Sequence, residues 1–221
     1  MLQVIFSKAV GDRFNISIYD MHLEQKCIPF VEASPPAELA EMTAADVMAS
    51  PVETLREVED VRAVLKVLLE TDHNGFPVVR TVGTRTDSFV GIVLRSQLLV
   101  LLEKRAWAAP ERSLFTSGAS QASNEGNLTR HDFATSLSSR TANARAIAAS
   151  LSDTDLDAKV DLALVMTPAP FQVQRLCPVD RVYALFRAMG MRHLVVVDEA
   201  NGVAGIITRK DIRSDFSQDL S

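Results

Sequence analysis

The chain alternates between two kinds of apolar spacing. Val58, Val61, Val64, Leu65 and Leu68 recur at helical intervals with charges between them, and Asn74-Gly75 closes the run. Two β-type runs follow, Phe76-Pro77-Val78-Val79 and Phe89-Val90-Gly91-Ile92-Val93-Leu94, with the turn-rich Gly83-Thr84-Arg85-Thr86-Asp87-Ser88 between them. Ser96 to Lys104 then predicts a helix whose buried side is Leu98, Leu99, Leu101 and Leu102. Upstream, Met42 to Met48 predicts a short helix capped by Thr43, and Val52-Glu53-Thr54-Leu55 a short strand.

The same order returns further on. Val165-Met166-Thr167-Pro168 echoes Val47-Met48-Ala49-Ser50-Pro51, and Phe171-Gln172-Val173 takes the short strand's place. Val179, Val182, Tyr183, Leu185, Phe186 and Met189 repeat the amphipathic helix, with Gly190 as its stop. His193 to Val197 answers Phe76 to Val79, and Gly205-Ile206-Ile207 answers Gly91-Ile92-Val93. A repeat of roughly 50 residues implies two pseudo-symmetric units, each too small to bury its sheet alone and so packed face to face.

Outside the repeats the pattern changes. Residues 1 to 32 are apolar with breaks, including Phe14, Ile16, Ile18, Tyr19, Met21 and Leu23; a packed N-terminal helix and the tail of something larger both account for them. Ser34-Pro35-Pro36 is a turn or linker. Residues 108 to 157 are dominated by Ser, Ala, Thr, Asn and Gly, a composition that buries too little apolar surface to offset its ordering entropy, so a flexible linker is predicted with a helical stretch near Ala142 to Leu151. The organisation expected is a leading segment at 1–42, a first module at 43–107, a linker at 108–158 and a second module with tail at 159–221.

Composition narrows the function classes. The net charge of −5 argues against nucleic acid as a partner. The two cysteines, Cys27 and Cys177, make no disulfide framework, and the four histidines show no metal-ligand spacing, so no metal is expected. No apolar run reaches the roughly 18 to 20 residues of a bilayer span. Taken alone, these properties describe a soluble cytosolic chain. Phosphate-binding glycine motifs and a defensible catalytic triad are missing from the sequence, which points to a sensor and not an enzyme.

The candidate chemistry lies in Gly205-Ile206-Ile207-Thr208-Arg209-Lys210-Asp211-Ile212. A strand runs into a helix start, with Thr208 as cap and Asp211 at the third position. Such a turn aims N–H groups, a hydroxyl and a carboxylate at one point, as a nucleotide requires. It is equally a capping box and nothing more, and the octet alone leaves the two readings level.

The repeated order of helix, strand, helix, strand, strand, helix over residues 43 to 103 and 162 to 215 resembles a tandem pair of CBS modules, an α+β fold of β-α-β-β-α repeats packed as a pseudo-two-fold pair. Val10-Gly11-Asp12-Arg13-Phe14-Asn15, Ile18-Tyr19-Asp20-Met21-His22, His73-Asn74-Gly75-Phe76-Pro77-Val78-Val79, Leu94-Arg95-Ser96-Gln97-Leu98, Leu185 to Asp198 and Ile207-Thr208-Arg209-Lys210-Asp211 are similar to the cytosolic C-terminal region of CLC chloride channels and chloride/proton exchangers, nearest their lysosomal and plant vacuolar branch. The resemblance implies that Met1 to about Val10 is the end of a final membrane helix. It further implies a membrane domain in the same chain, a homodimer, a place on the cytosolic face of a vacuolar or lysosomal membrane, and ATP, or ADP or AMP, as regulatory ligand between the modules. A soluble adenine-nucleotide sensor regulating a partner enzyme is the alternative; a reading frame that continues upstream into apolar spans separates the two.

On this resemblance Asp211 holds the ribose hydroxyls, Thr208 contacts ribose or the α-phosphate, and Arg209 and Lys210 meet the phosphates. His73, Asn74 and Gly75, with the backbone of Phe76 and Pro77, contact adenine, and Val52, Glu53 and Thr54 line the same cleft. Leu94 and Gln97 stand where Thr208 and Asp211 stand in the second repeat. The second cleft then lacks a ribose carboxylate, one nucleotide per chain is expected, and Arg192 and His193 are expected to line that second cleft.

Overall fold

The computed structural model describes residues 41–81, 88–107, 144–168 and 170–212, together with the single positions 25, 35, 39, 128 and 133. The expectations for the rest of residues 1–40, for the 83–87 turn, for most of 108–143 and for a helix beyond Ile212 lie outside the described residues.

After a short helix α1 (Ala44–Val47), the first repeat comprises β1 (Leu55–Arg56), β2 (Val58–Asp60), α2 (Val61–Glu70), β3 (Gly75–Arg80), β4 (Ser88–Leu94) and α3 (Arg95–Glu103). Helices α4 (Ala144–Ser150) and α5 (Asp153–Leu156) precede the second repeat. There β5 (Lys159–Asp161), a 3-10 turn (Leu162–Leu164), β6 (Thr167–Pro168), β7 (Gln172–Gln174), α6 (Val179–Met189), β8 (His193–Val197) and β9 (Val203–Thr208) follow in order. In both units the short strand runs parallel to the first hairpin strand, and the hairpin is antiparallel with one register shift, at Val78/Val79 and at Val196/Val197. The architecture is a face-to-face pair of α+β modules, as expected.

Each amphipathic helix buries the predicted stripe: Val61, Val64, Leu65 and Leu68 in α2, and Val179, Val182, Tyr183 and Phe186 in α6. Gly190 ends α6 in the left-handed region (φ 62°), which a glycine adopts without Cβ strain. Two positions differ from the periodic reading. Val58 belongs to β2, because its backbone pairs antiparallel with Asp161 of β5 before the helix begins, and Met189 is 53% exposed at the helix end. The strand expected at Val52 to Leu55 is confined to Leu55–Arg56, the residues that pair with β3.

The modules exchange their leading segments. Leu39, Ala44 and Val47 lie in the core of the second module beside Val182, Phe186, Leu194 and Ile207. Val179 N donates to Met42 O (2.9 Å), Ala44 N to Cys177 O (2.8 Å), and Ala49 exchanges backbone bonds with Ile206 (2.9 and 3.2 Å). Reciprocally, Val160, Leu162 and Val165 complete the core of the first module, and β6 adds to its sheet at Gly91 and Ile92. Full burial of each Leu or Val among these stabilises by about 1.5–3 kcal/mol, so each leader adds substantially to the core of the other module. Within the stretch read as linker, Ala144 and Ile147 are buried three residues apart on α4, against α2 and α3. Helical spacing of a few apolar residues suffices there, although the average composition is polar.

Candidate functional site

β9 ends at Thr208, and the chain turns at once. Asp211 Oδ2 accepts from Thr208 N (2.7 Å) and from Thr208 Oγ1 (2.8 Å), so the carboxylate is held at the strand end by two bonds. The capping role is therefore real, and it fixes the acid at the mouth of a cavity of about 500 Å³. That volume falls within the range of small-molecule sites.

The cavity lies between the modules. From the second come Arg192, His193, Ile206, Thr208, Arg209, Lys210 and Asp211; from the first come Asp72, His73 and Asn74, and Ala49 comes from the exchanged leader. A smaller recess of about 90 Å³ adds Pro51, Val52 and Gly75. Antiparallel pairing explains the assembly. His193 pairs with Thr208, so the turn before β8 opens at the same sheet end as the Thr208 turn. Gly75 pairs with Leu94 in the same way, and the modules meet where His193 lies on Gly75; a Cβ there would come within 3.1 Å of the imidazole.

Of the residues expected at the site, Val52, His73, Asn74, Gly75, Thr208, Arg209, Lys210 and Asp211 are brought together. Glu53 and Thr54 are exposed outside the lining, and Phe76 and Pro77 are buried within β3, with Phe76 edge-on to the His73 ring. Arg192 and His193, expected at the other cleft, line this one, because the β8–β9 register places them beside Thr208. Ala49 and Asp72 went unrecognised in the sequence, and Ile206 lay within the candidate stretch without a role of its own. The Val-Met pair shared by Val47-Met48 and Val165-Met166, each followed closely by Pro, carried a signal for Ala49.

The lining mixes signs: Arg192, Arg209 and Lys210 against Asp72 and Asp211. Burial, and then the neighbouring Arg192, push the His193 pKa below its ordinary value, which keeps the imidazole neutral near pH 7. Arg209 lines the cavity and also holds the turn behind it. Its Nε donates to Met191 O and its Nη2 to Gly190 O, both at 2.8 Å, pinning the turn before β8. In the first repeat, Gln97 Oε1 accepts from Leu94 N (2.7 Å) while Nε2 donates to Val165 O (2.8 Å). The amide keeps the cap and spends its donor on the exchanged leader. Among the described residues no group of three or more His, Cys, Asp or Glu could hold a metal ion, and no helix is long and apolar enough to cross a membrane.

The family model described as CBS domain matches residues 44–104 and 160–217. The H(+)/Cl(-) exchange transporter 7 of Mus musculus is 39% identical over 215 residues, covering 96% of this chain and 25% of the relative. Chloride channel protein CLC-d of Arabidopsis thaliana is 35% identical over 216 residues, covering 96% and 26%. The chain thus spans about a quarter of the length of these relatives. Among solved structures, the CBS domain of a CBS-domain-containing membrane protein from Sphaerobacter thermophilus superposes with a TM-score of 0.48 at 22% identity, covering 88% of this chain and 95% of that one. With both repeats matched, the chain belongs to the CBS-domain family, as a tandem pair similar along nearly its whole length to part of the CLC chloride/proton exchangers.

Proposed function

We propose that this chain is the cytosolic regulatory part of a CLC-type chloride channel or chloride/proton antiporter, on the cytosolic face of a vacuolar or lysosomal membrane, and that its cleft binds an adenine nucleotide, ATP foremost. One observation carries the nucleotide reading. Asp211 is held by Thr208 at a cleft that also gathers Arg192 and Lys210. A fixed carboxylate can accept from both ribose hydroxyls, and cations on the same rim suit phosphates. His73 and Asn74 on the opposite wall suit a planar base.

The cleft also touches Ala49, so a ligand seated there contacts the leader that is docked on the second module. Regulation requires different affinity for two docking states of that leader, since equal affinity shifts nothing. The working assembly is a homodimer joined to the membrane domain of the same chain.

Calorimetry with ATP, ADP and AMP on the wild type, Asp211→Asn and Asp211→Ala tests the reading. Asn keeps an oxygen for the Thr208 cap and removes the charge. Weakened binding in both variants supports the ribose role. ATP binding that is unchanged in Asp211→Asn removes it.

A further inference from the structure

We infer that Arg95 is a positioning residue for this cleft, acting from the first module without lining it. Arg95 is 6% exposed and is the buried charged side chain among the described residues. Its Nη1 donates to Thr71 O (2.7 Å) and to His73 O (3.4 Å), its Nη2 donates to Leu68 O, and its backbone N–H donates to Asn74 O (3.0 Å). One residue thus gathers four carbonyls from the end of α2 and the turn that follows. That turn carries Asp72, His73 and Asn74, the first module's wall of the cleft.

The choice of side chain follows from the chemistry. The last carbonyls of a helix lack intrahelical partners and carry the negative end of its dipole. A guanidinium offers five N–H donors in a rigid plane and reaches several separated carbonyls at once; an ammonium is a compact point donor and does not span them.

The second repeat has the same device. Arg209 follows Thr208 as Arg95 follows Leu94, and it holds Gly190 O and Met191 O behind Arg192 and His193. Each wall turn is therefore pinned from behind by the arginine that starts the next turn or helix. Arg209 also faces the cavity, whereas Arg95 does not. The first module has a neutral amide where the second has Asp211, yet through Arg95 it still sets half of the ligand's surroundings.

The inference rests on the nucleotide reading and can be told apart from it. In the 221-residue chain, ATP dissociation constants are measured by calorimetry for wild type, Arg95→Lys and Arg95→Gln. The control is Leu162→Ala, in the same core but hydrogen-bonded to Glu57, Val165 and Met166 instead of the turn. Arg95→Lys is expected to weaken ATP by about tenfold, with faster amide exchange confined to residues 71–74, and Arg95→Gln by more. Leu162→Ala is expected to lower the melting temperature while binding ATP as the wild type does. A folded Arg95→Lys with wild-type affinity overturns the inference alone, as does an equal loss of affinity in Leu162→Ala. Loss of the melting transition in both Arg95 variants makes the arginine part of the fold first and overturns positioning. A wild type that binds no adenine nucleotide sinks the nucleotide reading, and this inference with it.

Discussion

Met48 lies across Gly205, so close that a Cβ on Gly205 would overlap its Sδ and stand 2.7 Å from its Cγ and 2.9 Å from its Cβ. The opposite module repeats the contact, with Met166 Sδ 2.7 Å from the corresponding point on Gly91. Each leader is thus laid on the last strand of the other module at a position where a side chain has no room. The Val-Met echo and the glycine of each final strand are two halves of one joint.

Gly205→Ala is expected to push the Met48 leader off β9. Overpacking of this kind costs about 1–3 kcal/mol, and a flexible methionine tip gives way more readily than the Met48 Cβ does. Thermal melts should show a drop of about 2–4 °C for each kcal/mol in a chain of this size. The double variant Gly205→Ala/Met48→Ala should recover part of the loss, since the two changes share one contact. A drop that is additive in the double variant would show that the contact is not what Gly205 serves.

The duplicated order of elements was legible because helical and strand periodicity are local properties. The exchange of leaders was not, because it is written only in which sheet edge each leader reaches; Val47 and Val165 look alike whether they pack at home or away. Val58 fitted the helical period of Val61 and Val64, yet a partner strand a hundred residues on took its backbone. The Thr208–Asp211 cap could be read from spacing alone. That Arg192 and His193 share its cleft follows from the His193–Thr208 register, which no single segment contains. Arg95 and Arg209 held a readable signal, an arginine directly after each hairpin, but their carbonyl partners in the preceding turns could not be inferred from charge patterning.

Thr208→Ala separates the cap from the carboxylate. It removes the hydroxyl donor at 2.8 Å and keeps the backbone donor at 2.7 Å. Loss of a cap partner costs about 0.5–2 kcal/mol. On the proposed function, ATP affinity should also fall, because Asp211 is then held by one bond and not two. Urea denaturation and calorimetry on the same sample check both halves. Unchanged affinity with lowered stability would confine Thr208 to the cap.

Leu162→Val and Leu162→Ala report on the exchange itself. Leu162 is 0% exposed within the first module's core, although it precedes the second repeat. Truncation to Ala should cost about 2–5 kcal/mol, with Val in between. Residues of α2 and α3 should lose amide protection before those of β8 and β9. Equal loss in both modules would indicate that the pair melts as one unit, with the leaders as its tie.

Stability should fall on acidification through His193. Its pKa is depressed in the folded chain by burial first and by Arg192 second, so below the ordinary histidine value of about 6.5 the unfolded chain takes up a proton that the folded chain resists. The contribution is fully present above that value and is lost as pH falls toward the depressed folded pKa. The groups around the imbedded ring include Arg192, the neighbouring Arg209 and Lys210 that oppose protonation, and Asp72 and Asp211 that favour it. Denaturation midpoints from pH 8 to pH 5 should decline more steeply in the wild type than in His193→Asn, which has no proton to gain. Arg192→Gln should lessen the decline without abolishing it, because burial remains. Parallel curves for wild type and His193→Asn would assign the acid sensitivity to the carboxylates instead.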